Sequence, residues 1–225
     1  MLTLSTLAVG KFETRPNKIS AEVTHFTYCL TAPFTSRLVN WQQHFMLARL
    51  NMTYCISSQE AIDAIRAMGA TRIGVDGIDG AGKSTLAREI SGALGLPCIS
   101  LDSFLEKDMG GYVQHIDYQK LKATLEKLEG YVVEGVCLHQ VLGRIQLALA
   151  ANIYIKRMQF DFWSDEDELN IKEPVDVVLA KAREVASLFS SSPVSNLGLA
   201  EEVIRYHAEF RPHEHADVTY AVPAH

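Results

Sequence analysis

Beyond residue 58 the chain switches repeatedly between apolar runs of strand length and apolar positions spaced three or four apart. Ser58 with Glu60 to Met68 predicts a capped helix that Gly69 stops, and Thr71 to Asp76 (TRIGVD) predicts a buried strand. A glycine-rich turn separates that strand from a helix over Lys83 to Leu94. Its Leu86, Ile90 and Leu94 share a face, Gly95 is its stop and Pro97 lies just beyond. The pattern then predicts a strand over Pro97 to Leu101, a helix over Tyr118 to Leu128, a strand over Tyr131 to Val136, a helix over Val141 to Ala150 and a strand over Asn152 to Lys156. Residues 158 to 173 read as an acidic connector, 174 to 189 and 198 to 210 as helices, and Asp217 to Val222 as a last strand. Such alternation implies an α/β fold with a mainly parallel sheet covered on both faces. Ligands are then expected beyond the carboxyl ends of the strands. Residues 1 to 58 show no clean period, apart from a short helix expected over Trp41 to Leu50. They read as an N-terminal extension of unknown role, followed by a domain over 59 to 225.

Composition narrows the partners. The 225 residues, 48% apolar, suffice for one real core. With 21 Lys+Arg against 27 Asp+Glu, the net charge of −6 comes without the basic stripe that nucleic acid requires. Any anion site must be built locally, from backbone N–H groups and a few placed cations. Cys29, Cys55, Cys98 and Cys137 are far apart, form no CxxC pair, and read as buried thiols of a reducing compartment. Met1 to Gly10 lacks a basic n-region, and the apolar run Ile145 to Ile155 contains Gln146 and Asn152 and is too short for a membrane span. The expectation is a cytoplasmic protein whose partner is a small molecule, with neither nucleic acid nor membrane, and with a homo-oligomer left open.

One segment carries strong chemistry. Gly77-Ile78-Asp79-Gly80-Ala81-Gly82-Lys83-Ser84 fits G-x-x-x-x-G-K-[ST] at every fixed position, between an expected strand and an expected helix. Glycines let backbone N–H groups wrap a phosphate, and the helix beginning near Lys83 presents its positive end. Lys83 is placed to reach the β and γ phosphates, Ser84 to offer its hydroxyl to Mg²⁺, and Thr85 to donate near the α-phosphate. ATP and Mg²⁺ are thus the expected ligands of residues 77 to 85. A GTPase would need Asp108-Met109-Gly110-Gly111 after a strand and an N-K-x-D beyond the loop, and the sequence provides neither. A motor ATPase would end its third strand in an acidic pair, whereas Val132-Val133-Glu134-Gly135 offers one carboxylate.

With GIDGAGKST (77 to 85), ISLDSF (99 to 104), VVEGV (132 to 136) and YHAEFRPHEHADVTY (206 to 220), the chain resembles the uridine kinase-like P-loop kinases over about residues 71 to 222. The resemblance implies a P-loop NTPase three-layer αβα sandwich with a mainly five-stranded parallel sheet and a mobile lid. It also implies transfer of the ATP γ-phosphoryl group to a hydroxyl of a small molecule, a nucleoside such as uridine or a related metabolite. Asp102, at the end of the second strand, matches the proposed base and lies within reach of the metal. The rival reading makes Asp102 a helix cap, although Ser103 with Glu106 can form that capping box. Glu134 at the end of the third strand is placed to hold Mg²⁺ with Ser84. Asp79 either touches the ligand or supports the turn. Tyr112, His115, Asp117 and His139 occupy the stretches from which the family draws its acceptor-binding residues. His207, His213 and His215 resemble a metal cluster only superficially, since their spacing belongs to a helix end and a loop.

The lid departs from that family. Its arginines, worth about 10³ to 10⁵ in rate, give way here to MQFDFWSDEDELNIKEP, an acidic run that reads as a solvated face. Arg157, helped by Lys172, Lys181 or Arg205, is the cation available to take their part. A cation-poor lid also fits a nucleotide-binding sensor or assembly module with little transfer activity.

Overall fold

The computed structural model of the chain describes residues 52–106 and 111–223. The helix expected over Trp41 to Leu50, Cys29, and Asp108 to Gly110 lie outside the described residues. The elements are β1 (Thr53–Cys55), α1 (Ser58–Met68), β2 (Arg72–Asp76), α2 (Lys83–Leu94), β3 (Cys98–Ser100), α3 (Tyr118–Leu125), β4 (Tyr131–Gly135), α4 (Leu138–Arg144), β5 (Ala151–Gln159), β6 (Phe162–Trp163), α5 (Glu166–Leu169), α6 (Val175–Leu188), α7 (Leu199–Phe210), α8 (Pro212–His215) and β7 (Val218–Pro223). Two short 3₁₀ turns, Leu101–Phe104 and Val113–His115, follow β3 and precede α3.

The strands form one sheet in the order β1-β7-β5-β2-β4-β3, parallel throughout, with β6 antiparallel to β5. The expected five parallel strands are therefore present, and the sheet gains β1 and β6. β1 comes from the segment read as an extension and pairs Thr53 with Val218 and Cys55 with Tyr220.

Strand alternation decides which helical layer each side chain meets. Ile73 and Val75 of β2, Val132 of β4 and Ile153 of β5 face α1 and α2, where they pack with Ile62, Ile65, Leu86 and Ile90. Tyr131 and Val133 of β4 and Tyr154 of β5 face the other way, against Leu121, Leu125, Leu138, Leu142 and Tyr206. Each fully buried Ile, Leu or Val contributes about 1.5–3 kcal/mol. The same alternation assigns polar side chains to sides. Glu134, two residues after Val132, turns toward α2. Asp76, opposite Tyr154 in the register, turns toward α7.

Four expectations change. The helix expected over Val141 to Ala150 is Leu138–Arg144: Cys137, at φ 54, turns the chain directly from β4 into it, and Gln146, at φ 58, takes the chain out of the helix. Leu147 and Leu149 stay apolar because they cover the core without helix, Leu149 lying over Gly74. The helix at Tyr118 ends at Leu125, not Leu128, with a turn closing from Leu128 N–H onto the Leu125 carbonyl (3.1 Å). Part of the acidic connector is a hairpin: Phe160 (φ 52) and Asp161 (φ 63) form its two-residue turn, and Gln159 pairs with Phe162. Cys98 is exposed, while Cys55 and Cys137 are buried.

Candidate active site

The loop after β2 is shaped by its own hydrogen bonds. Asp76 Oδ1 accepts from Gly77 N–H (2.7 Å), Asp79 Oδ1 from Gly80 N–H (2.9 Å), and the Ile78 carbonyl from Ala81 N–H (3.3 Å). Gly80 (φ 70) and Gly82 (φ 88) are left-handed, which turns the chain over into α2. At the start of α2 the Lys83 and Ser84 N–H groups are left open to an anion, whereas Thr85 N–H bonds the Gly82 carbonyl (3.1 Å). Lys83 is buried and its Nζ donates to the Ile78 carbonyl (2.6 Å). Burial lowers its pKa, against the pull of Glu134, Asp76, Asp79 and Asp102.

These residues wall a cavity of about 500 Å³. Asp79, Gly80, Gly82, Lys83, Ser84 and Thr85 form its loop side, Asp102, Tyr112 and Glu134 its remaining polar lining, and Leu105, Val136 and Leu199 its apolar lining. Glu134 is 3% exposed, and its Oε1 accepts from Ser84 Oγ (3.0 Å). Two adjoining oxygens, with Asp102 lining the same cavity and no group of three or more acidic, imidazole or thiol ligands among the described residues, suit Mg²⁺, which keeps waters and takes phosphate oxygens for the rest of its shell. Asp102 lies in the 3₁₀ turn after β3, and its Oδ1 accepts from Tyr112 OH (2.7 Å). Burial, then the bond to Asp102, raises the Tyr112 pKa, so the phenol stays a donor. Among the described residues no α-helix follows directly for Ser103 and Glu106 to cap; Ser103 belongs to the turn and Glu106 N–H bonds the His115 carbonyl (2.9 Å).

The remaining candidates fall in different places. Asp117 caps α3 by accepting from Lys120 N–H (2.9 Å). His115 closes the second 3₁₀ turn, its N–H on the Tyr112 carbonyl (3.1 Å). His139 starts α4, its N–H on Tyr206 OH (3.3 Å). Arg157 holds Asp165 at two points, Nε to Oδ2 at 3.1 Å and Nη2 to Oδ1. Asp165 is thus buried rather than part of a solvated face. Lys181 pairs with Glu173 (2.8 Å) and Arg205 with Glu201 (2.9 Å). His207 bonds Tyr154 OH (2.8 Å) and the Val203 carbonyl (2.8 Å). His213 lies against Trp163, ring centres 5.0 Å apart.

Sequence reasoning missed Asp76, Glu202 and Tyr206. Asp76 carried a signal, since it directly precedes Gly77 and shares its strand face with Gly74. Tyr206 opened the tail motif at 206 to 220 without a role assigned to it, and Glu202 carried only its spacing along α7.

A family model for shikimate kinase matches residues 79–162, from inside the loop to the hairpin. No curated protein matches the chain. A crystal structure described as that of an uncharacterized protein from Eubacterium ventriosum ATCC 27560 is 12% identical, covers 68% of this chain and 89% of its own, and has a TM-score of 0.31. The loop from Asp79 onward, Asp102, Glu134 and Arg157 lie within the matched span, and over that span the chain is similar to the P-loop kinases, without pointing to uridine kinases in particular.

Proposed function

We propose that the protein is a kinase that uses Mg-ATP to phosphorylate a hydroxyl of a small molecule, a nucleoside such as uridine or a related metabolite. The observation that carries this reading is the convergence on one cavity of a glycine-rich loop, a buried lysine, a Ser84–Glu134 pair and an Asp102 bonded by Tyr112. The loop amides and the buried Lys83 stabilise charge that builds on the transferring group. Ser84 and Glu134 would hold Mg²⁺, which would add to the neutralisation of the phosphates. Asp102 takes the proton of the attacking hydroxyl as its oxygen bonds phosphorus and the bond to the ADP oxygen breaks. Tyr112 orients that carboxylate, leaving it room to accept.

A second reading, a nucleotide-binding module without transfer, draws support from Arg157, Lys181 and Arg205, which are all engaged with carboxylates. Incubation with Mg-ATP and a panel of nucleosides, sugars, shikimate and vitamin precursors separates the two. The kinase reading expects one acceptor to be phosphorylated by wild type, no product from Lys83→Ala, and a loss of about 10² to 10⁴ in turnover for Asp102→Asn. Product from no acceptor favours the module, and full turnover by Asp102→Asn removes the base.

A further inference from the structure

We propose that Glu202 and Tyr206 are positioning residues through which α7 ties the candidate base to the phosphate loop. Four positions apart, they lie on one face of the helix, and Leu199 on the same face reaches the cavity. Glu202 Oε2 accepts from Tyr112 N–H (2.9 Å) and Val113 N–H (3.0 Å), both charge-assisted bonds. Its Oε1 comes so near Gly111 that a Cβ there would stand 3.1 Å away. Tyr118 OH and Arg144 (3.2 Å) hold the Val113 carbonyl from the other side. Clamped in this way, the Tyr112 backbone delivers its phenol to Asp102. One turn further on, Tyr206 OH donates to Asp76 Oδ2, whose other oxygen holds Gly77 N–H at the mouth of the loop. Tyr206 is 1% exposed, so this bond is shielded from water. Both residues act at one remove: Glu202 on the acceptor half, Tyr206 on the nucleotide half. The tail motif that contains Tyr206 thereby gains a role.

The inference rests on the kinase reading, and the two are separated by measuring Mg-ATP affinity apart from turnover. Tyr206→Phe is expected to weaken Mg-ATP binding by about tenfold in calorimetry. Glu202→Ala should lower kcat about tenfold or more while Mg-ATP affinity stays within about twofold. Glu202→Gln, which keeps an accepting oxygen, should recover most of the loss. Added to Tyr112→Phe, Glu202→Ala should cost no more than about a further twofold, because both act through one bond. A merely structural α7 predicts instead that melting temperature falls and that affinity and kcat decline together. Wild-type affinity in Tyr206→Phe, or losses that multiply in the double variant, overturn the inference. If wild type binds Mg-ATP but phosphorylates nothing, the kinase reading falls alone. Calorimetry still decides the loop half, since lost affinity in Lys83→Ala with retained affinity in Tyr206→Phe overturns it. Should Glu202→Ala fail to fold, Glu202→Met, which keeps the length of the side chain but offers no accepting oxygen, provides the same comparison in the Tyr112→Phe background.

Discussion

Glu134 occupies a position where a carboxylate is costly unless compensated. It is buried at the end of a central strand, and its compensation comes from the Ser84 hydroxyl and the charge of Lys83 nearby. Strand parity puts it there: with Val132 facing α2, the residue two further on must face the first turn of that helix. Glu134→Gln keeps the size and the bond to Ser84 but removes the charge. It is expected to raise the Mg²⁺ concentration needed for half-maximal ATP binding by at least about tenfold, read by calorimetry in a magnesium series. Unchanged magnesium dependence would remove Glu134 from the metal site.

Among the elements, the 3₁₀ turn that carries Asp102 is seated directly on β4. A Cβ added at Gly135 would meet Leu101 at 2.6 to 2.8 Å, at Cβ and Cγ as well as the terminal Cδ1. The body of the side chain must therefore shift, and the turn with it. Gly135→Ala is expected to cost about 1–3 kcal/mol in denaturant unfolding and to lower turnover more than it lowers Mg-ATP affinity. Equal loss in both would mean that the turn does not set the position of Asp102. Elements with strong local signals were legible before any coordinates. α2 begins and ends where the loop motif and Gly95 place it, and β2 and β4 were read from short, mainly apolar runs of strand length. The hairpin was not legible, because its two left-handed positions are filled by Phe160 and Asp161 rather than by the Asn-Gly or Asp-Gly pair that announces such turns. Nor was α4, whose apolar continuation through Leu147 and Leu149 serves packing in an irregular segment. Within the site, the loop and Glu134 followed from motif and strand position. Asp165 was hidden inside an acidic run, and only the fold shows that it turns inward to Arg157.

At the scale of the molecule, two buried histidines link stability to pH. Burial, then the positive neighbours His207, Lys156, His215 and Arg211, pushes the His213 pKa down to about 3, and His207 is lowered in the same sense by burial. Between its ordinary value of 6.5 and about 3, the unfolded chain binds a proton at His213 that the folded chain refuses. The stabilisation is complete above that window and is lost as pH falls through it. The urea midpoint should therefore drop between about pH 7 and about pH 4.5, and His213→Leu should flatten that slope. A slope unaltered by His213→Leu would place the acid sensitivity elsewhere.

The pairing of Thr53–Cys55 with β7 also decides how the polypeptide can be trimmed. A version starting at Ser57 would strip the outermost ribbon and bare the unbonded amides and carbonyls of Val218 to Tyr220, an invitation to stack strand against strand with another molecule. Light scattering on purified material should show self-association for that version and a monodisperse solution for one starting at Met52. Equal behaviour of the two would show that the short ribbon shields nothing.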